Sequence, residues 1–129
     1  MKEPLRYLRN ARQLAASAPT DGRVYTDMKP VREACGTAYL AILEAVDAYL
    51  LSQGVAQKEL PESVDAYRDA LGKRARARNG KLVRDFEALY HSLHIAGYYR
   101  ADLRHVVLVR DALKLAEDFI KRLGVAHAG

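Results

Sequence analysis

The chain has one cysteine, no tryptophan, only two phenylalanines, four prolines and eight glycines in 129 residues. A single thiol, Cys35, excludes a disulfide framework and any cysteine-rich zinc module, and it fits a reducing, cytoplasmic setting. So few prolines and glycines exclude collagen-like and low-complexity architectures. No glycine-rich phosphate loop is present, because Gly72-Lys73 lacks both the upstream glycine and the following Ser or Thr. A dinucleotide fingerprint and a nucleophile elbow are also missing. The N-terminus passes from Met1-Lys2-Glu3-Pro4 straight into an arginine-rich stretch, so no secretory signal is expected. The most apolar run, Ala34 to Leu51, is interrupted by Glu44 and Asp47. A span needs about 20 mostly apolar residues, so this run reads as a buried helix with no membrane role.

What remains is half hydrophobic and 29% charged, the balance of a folded domain. The length suits one domain with one core. Net charge is +5, unevenly spread. Residues 1–26 carry five Lys or Arg against two acids, residues 27–72 four against eight, and residues 73–110 nine against three. An acidic middle flanked by basic segments suits solvated helix faces, an anionic partner such as RNA or a nucleotide, or complementary contact between copies.

Periodicity is helical throughout. Leu5, Leu8, Ala11 and Ala15 recur at three- and four-residue spacing behind Pro4, and Pro19 closes that helix. Asp21-Gly22 is a turn. Thr26 or Asp27 can cap a long second helix, with Pro30 in its first turn and Gly54 at its end. Apolar residues cover most of its circumference, so it should be surrounded by its own domain or by a partner. Pro61 opens a third helix, Asn79-Gly80 is a turn, and Leu82, Phe86, Leu89, Tyr90 and Leu93 stripe a fourth that gives way near Gly97-Tyr98-Tyr99. Asp102 is a good N-cap for a fifth, ending at Gly124. No run alternates as a strand. The expectation is an all-α, five-helix antiparallel bundle in a single domain, residues 1–129, with helices at roughly 4–18, 27–53, 62–76, 80–96 and 102–123.

Chemistry-bearing residues form three groups. Glu87, His91 and His94 share one side of the fourth helix, with donors suited to zinc or iron. A di-iron bundle needs a Glu-x-x-His pair on two helices, whereas here the residue three before His94 is His91 and Glu87 stands four before His91, so no metal or other cofactor is expected. The acid-free run Lys73, Arg74, Arg76, Arg78, Lys81 and Arg84 spans a helix end, a turn and a helix start. The helix dipole accounts for cations at the C-terminus but disfavours Lys81 and Arg84 at a start, which makes these two, with Arg78, candidates for holding phosphate. Tyr98 and Tyr99 would stack bases beside them. Cys35 reads as a core thiol.

Arg100-Ala101-Asp102-Leu103-Arg104-His105 places a histidine five residues after an arginine at the opening of the last helix. In an all-α chain of this size it resembles the motif of the HEPN superfamily, helical bundles that include metal-independent ribonucleases. That resemblance implies that His105 moves protons, Arg100 holds the phosphorane charge and Asp102 orients them, across a homodimer cleft. It also implies a toxin component paired with a nucleotidyltransferase-like antitoxin. Active members commonly carry a polar residue where this chain has Ala101. A second resemblance covers nearly the whole chain. Leu5-Arg6-Tyr7-Leu8, Asn10-Ala11, Tyr25, Asp27, Val31, Gly36-Thr37-Ala38-Tyr39, Ala45, Asp47, Leu93-His94 and Gly97-Tyr98-Tyr99 are similar to an uncharacterised family of small bacterial helical proteins with a HEPN-like fold. That pattern runs through His94 and Gly97 rather than Arg100 and His105. The expectation is therefore a non-catalytic HEPN-like bundle acting through dimerisation and partner binding, the alternatives being a ribonuclease or an RNA- or nucleotide-binding module.

Overall fold

The computed structural model describes residues 3–74 and 79–124. Its architecture is the all-α bundle that the periodicity predicts. α1 spans Glu3–Ser17, α2 Met28–Ser52, α3 Val64–Arg74, α4 Asn79–Leu89 and α5 Val106–Arg122. A short 3-10 turn at Gln57–Glu59 precedes α3.

Local chemistry sets the helix ends. The Asp27 carboxylate accepts from the Lys29 N–H at 3.0 Å and caps α2, as the sequence suggests. Gly54 and Gly124 take φ of +94° and +76°, the left-handed geometry that stops α2 and α5. Ser63, two residues after Pro61, caps α3 by accepting from the Ala66 N–H at 3.1 Å. That puts the start of α3 slightly later than the proline alone implies.

α2 is the hub. It packs against α1, α3, α5 and the segment that follows α4, while α5 closes against α1 and α4. Twelve of its residues are buried, among them Val31, Cys35, Ile42, Val46 and Leu50. Although long and apolar enough to cross a membrane by length and composition, 61% of that window is buried inside the fold. Phe86, Leu89 and Leu93 of the fourth helix and Phe119 and Ile120 of α5 are buried in the same core cluster. The bundle does not cover α2 completely, however. Leu40 is 53% exposed and Leu51 41%, and both lie on one open stripe with Glu33 and Glu44.

Three features depart from the sequence reading. First, Thr20–Asp21 and Val24–Tyr25 pair as a two-residue antiparallel ladder about Gly22, whose φ is +65°. A strand is legible in sequence when four to eight residues alternate, and two residues cannot. Second, α5 begins at Val106 with His105 as its N-cap residue, so Asp102 caps nothing. Arg104 and His105 are held against the hairpin: the Tyr25 N–H donates to the Arg104 carbonyl at 2.9 Å and the Val106 N–H to the Arg23 carbonyl at 3.0 Å. Third, the fourth helix does not give way at Gly97. It widens into a π-helical segment, Tyr90–Tyr99, whose last turn closes when the Arg100 N–H donates to the Ile95 carbonyl at 2.8 Å. Gly97 is there for proximity: a Cβ on it would lie 2.5 Å from the Cys35 sulfur.

Candidate functional site

Ten residues of π-helix are unusual, since the i→i+5 ladder is a poor hydrogen-bonding geometry that normally survives for a single turn and tends to mark functional positions. Here aromatic packing supports it. The His94 ring lies 4.9 Å from Tyr39 of α2 and 6.0 Å from Tyr98, at interplanar angles of 27° and 10°, with Tyr90 at 5.5 Å. Gly36 allows this approach, because a Cβ there would meet the Tyr98 ring at 2.9 Å. The Arg32 Nε donates to the Tyr98 carbonyl at 2.7 Å, and its guanidinium stands 5.6 Å from the centre of the same ring. Two carbonyls at the π segment's end, those of Tyr98 and Tyr99, thus receive a cation from α2.

The stack forms one wall of a groove of about 590 Å³, with Leu40 and Leu43 of α2 and Leu14 of α1 as the other walls. Glu33 is the groove's one carboxylate. Burial raises the Tyr39 phenol to about 12, so at neutral pH the Tyr39 ring is a neutral phenol. Chemically the groove is an apolar trough with a half-buried imidazole, suited to holding an apolar side chain or ring.

The groups expected from sequence are distributed differently. Glu87 is engaged by Arg68, the His91 Nε2 lies 3.6 Å from the Glu87 carboxylate, and His94 is in the aromatic stack. Among the described residues no three His, Cys, Asp or Glu side chains converge as a metal set. Lys81 lies 3.6 Å from Asp85, which Arg122 also engages, and Arg84 is exposed. Arg78, with Arg76, lies outside the described residues. Lys81 and Tyr98 are 17 positions apart on one continuous rod, roughly 25 Å at a helical rise of about 1.5 Å per residue. The Tyr98-Tyr99 pair therefore does not flank Lys81 and Arg84, and the cation beside it is Arg32, which the charge runs do not single out. Arg100 is exposed at the end of the π segment, His105 is exposed at the start of α5, and no hydrogen bond or ion pair joins their side chains among the described residues. Between them, Asp102 is exposed and Ala101 adopts φ of +52°. Cys35 is fully buried, and burial pushes its thiol up to about 11, as a core role requires.

A family model described as a domain of unknown function, DUF5618, matches residues 1–124. The chain belongs to that family. The DUF5618 fold is also that of a solved structure, a protein of unknown function from Dyadobacter fermentans. It aligns at a TM-score of 0.78 and 26% identity over 94% of this chain and 90% of the other. No curated protein matches the chain. The whole-length resemblance to an uncharacterised helical family therefore holds, and it brings no activity to this DUF5618 domain.

Proposed function

We propose that this chain is a HEPN-like helical bundle that acts without catalysis, by associating with a second copy of itself through the open stripe of α2. The observation that carries this reading is the groove around Leu40. A large aliphatic side chain stands more than half exposed beside a trough with leucine and aromatic walls, a poor arrangement for a face left in water. Both ends of the stripe carry charge: Lys29 pairs with Glu33 at 3.0 Å near its start, and Glu44 is exposed towards its far end. Two α2 helices packed antiparallel about a centre near Ala38 bring opposite ends together and set the partner's Leu40 beside Gly36. The exposed Tyr98, at 44%, extends the same patch.

Light scattering after size exclusion tests the reading. A dimer at micromolar concentration that Leu40→Glu converts to a folded monomer supports it, and a parent chain that is monomeric at 100 μM sinks it.

A second reading, a metal-independent ribonuclease, draws on the backbone between Arg100 and His105. A left-handed alanine is a strained conformation of a kind that clusters at functional sites. This reading requires Arg100 and His105 of two chains to converge on RNA. RNA cleavage by purified protein that survives His105→Ala would remove it.

A further inference from the structure

A second concave region lies on the other side of α1. The end of α1, the hairpin and the start of α5 enclose a cleft of about 1150 Å³, with a side lobe of about 180 Å³ running under Arg12. Its charge is one-sided: Arg23, Arg110 and His105 line the main cleft, and no carboxylate does. Asp21 and Asp111, the acids nearest in sequence, are exposed and outside the lining. Arg12 is neutralised by Glu117 at 2.6 Å. Arg23 and Arg110 make no side-chain hydrogen bond or ion pair among the described residues.

The floor holds the second observation. Tyr25 is only 4% exposed, lines both lobes, and its hydroxyl has no hydrogen-bond partner among the described residues. That hydroxyl is not sealed into the core either, since no buried side-chain oxygen lacks a partner there. It therefore opens on the cleft. Burial raises the Tyr25 phenol, the buried Cys35 adds to the rise, and the Arg110 charge opposes it. The first turn of α5 adds the positive end of a 17-residue helix. The hairpin creates this arrangement, because the main-chain bonds from Tyr25 to Arg104 and from Val106 to Arg23 draw Arg23 alongside the start of α5.

We propose that this cleft binds a small phosphate monoester with a short aliphatic body, Arg23 and Arg110 gripping the phosphate oxygens while Tyr25 and His105 complete the donor set. Guanidinium forks match phosphate geometry, and two unpaired arginines around a neutral hydroxyl donor form an anion cradle. The body is short and aliphatic because, Thr20 apart, the rest of the wall is small or aliphatic, with Ala16, Val24, Val106 and Val107 among it and no exposed aromatic face on which a base could stack. The site is independent of the α2 contact and of Arg100, which is not part of its lining.

Titration calorimetry of the full chain with glycerol 3-phosphate tests it, with glycerol, phosphatidic acid vesicles and a ten-nucleotide single-stranded RNA as further arms. Saturable binding of glycerol 3-phosphate and none of glycerol is expected. Arg110→Ala and Arg23→Ala should each weaken it at least tenfold, Tyr25→Phe several-fold, and Arg84→Ala and Leu40→Glu not at all. Failure of Leu40→Glu to dimerise with retained phosphate binding separates the two proposals. Equal losses from Arg84→Ala and Arg110→Ala would overturn the inference as diffuse electrostatics. Binding confined to the vesicles would assign the cleft to a lipid surface, and RNA binding a hundredfold tighter with the same Arg110 dependence would assign it to nucleic acid; either overturns it.

Discussion

Gly97→Ala tests whether the close contact between α2 and the π segment is required. An ideal Cβ on residue 97 falls 2.5 Å from the Cys35 sulfur, 2.6 Å from the Cys35 Cβ and 3.1 Å from the Ser92 carbonyl oxygen. Carbon contacts are comfortable at about 3.5–4.0 Å, so the two helices must part by on the order of 1 Å. Cys35 is the base of a packed side chain and the Ser92 oxygen is backbone, so neither can swing aside cheaply. Overpacking costs roughly 1–3 kcal/mol, and contacts at 2.5 and 2.6 Å fall in the upper part of that range, about 2–3 kcal/mol. Alanine returns up to about 1 kcal/mol in helix propensity over glycine, which leaves a net loss of about 1–2 kcal/mol. For a domain of this size that is a fall in Tm of roughly 4–8 °C. Urea unfolding followed by circular dichroism measures it, with Gly72→Ala, where a Cβ would meet nothing within 4 Å, as the control that should not fall. Adding Cys35→Gly removes both offending atoms, so the double variant should show a coupling of at least about 1 kcal/mol. A Gly97→Ala chain as stable as the parent would refute the reasoning, because the interhelical distance would then be adjustable.

Three more outcomes follow from single groups. Asp27→Ala removes the α2 cap and should lower stability by about 1 kcal/mol in denaturant unfolding, with Asp27→Asn and Asp27→Ser restoring most of it. The Cys35 thiol, raised to about 11 by burial, should react with iodoacetamide at pH 8 on the order of a hundredfold more slowly in the native chain than in the unfolded one, a difference read by mass spectrometry. Burial raises the Asp47 pKa, although its bond from the Tyr67 hydroxyl at 2.9 Å opposes the shift. A carboxyl raised in the folded state disfavours its own ionisation, so the penalty is absent below the unfolded value of about 3.9 and grows as pH rises through the folded value. Asp47→Asn keeps an acceptor for Tyr67 and should match or exceed the parent's stability at pH 7, the difference vanishing near pH 3; lower stability at pH 7 would show that the charge is favourable.

Helix identity was legible in the residues because it rests on local spacing: Leu82, Phe86, Leu89 and Leu93 lie one turn apart, and all four are buried. Caps and stops followed for the same reason, as Asp27, Gly54 and Gly124 act on their own neighbours. Gly97 misled because glycine has two uses, ending a helix or admitting a neighbour, and only the position of Cys35 distinguishes them. Asp102 misled because the main chain after it is occupied by a hairpin nearly 80 residues earlier. Arg23, Arg110 and Tyr25 are unremarkable in their own segments and share a cleft through that same pairing.

Local sequence by itself determined five helices, most of their ends and a buried α2, because these depend on interactions within a few turns of chain. Tertiary structure alone decided the widening of the fourth helix into a π segment, the start of α5, the stripe of α2 left open, and which cations stand together. Those outcomes depend on which surfaces meet across tens of residues, and the free energy of such contacts is not encoded in any one segment's pattern.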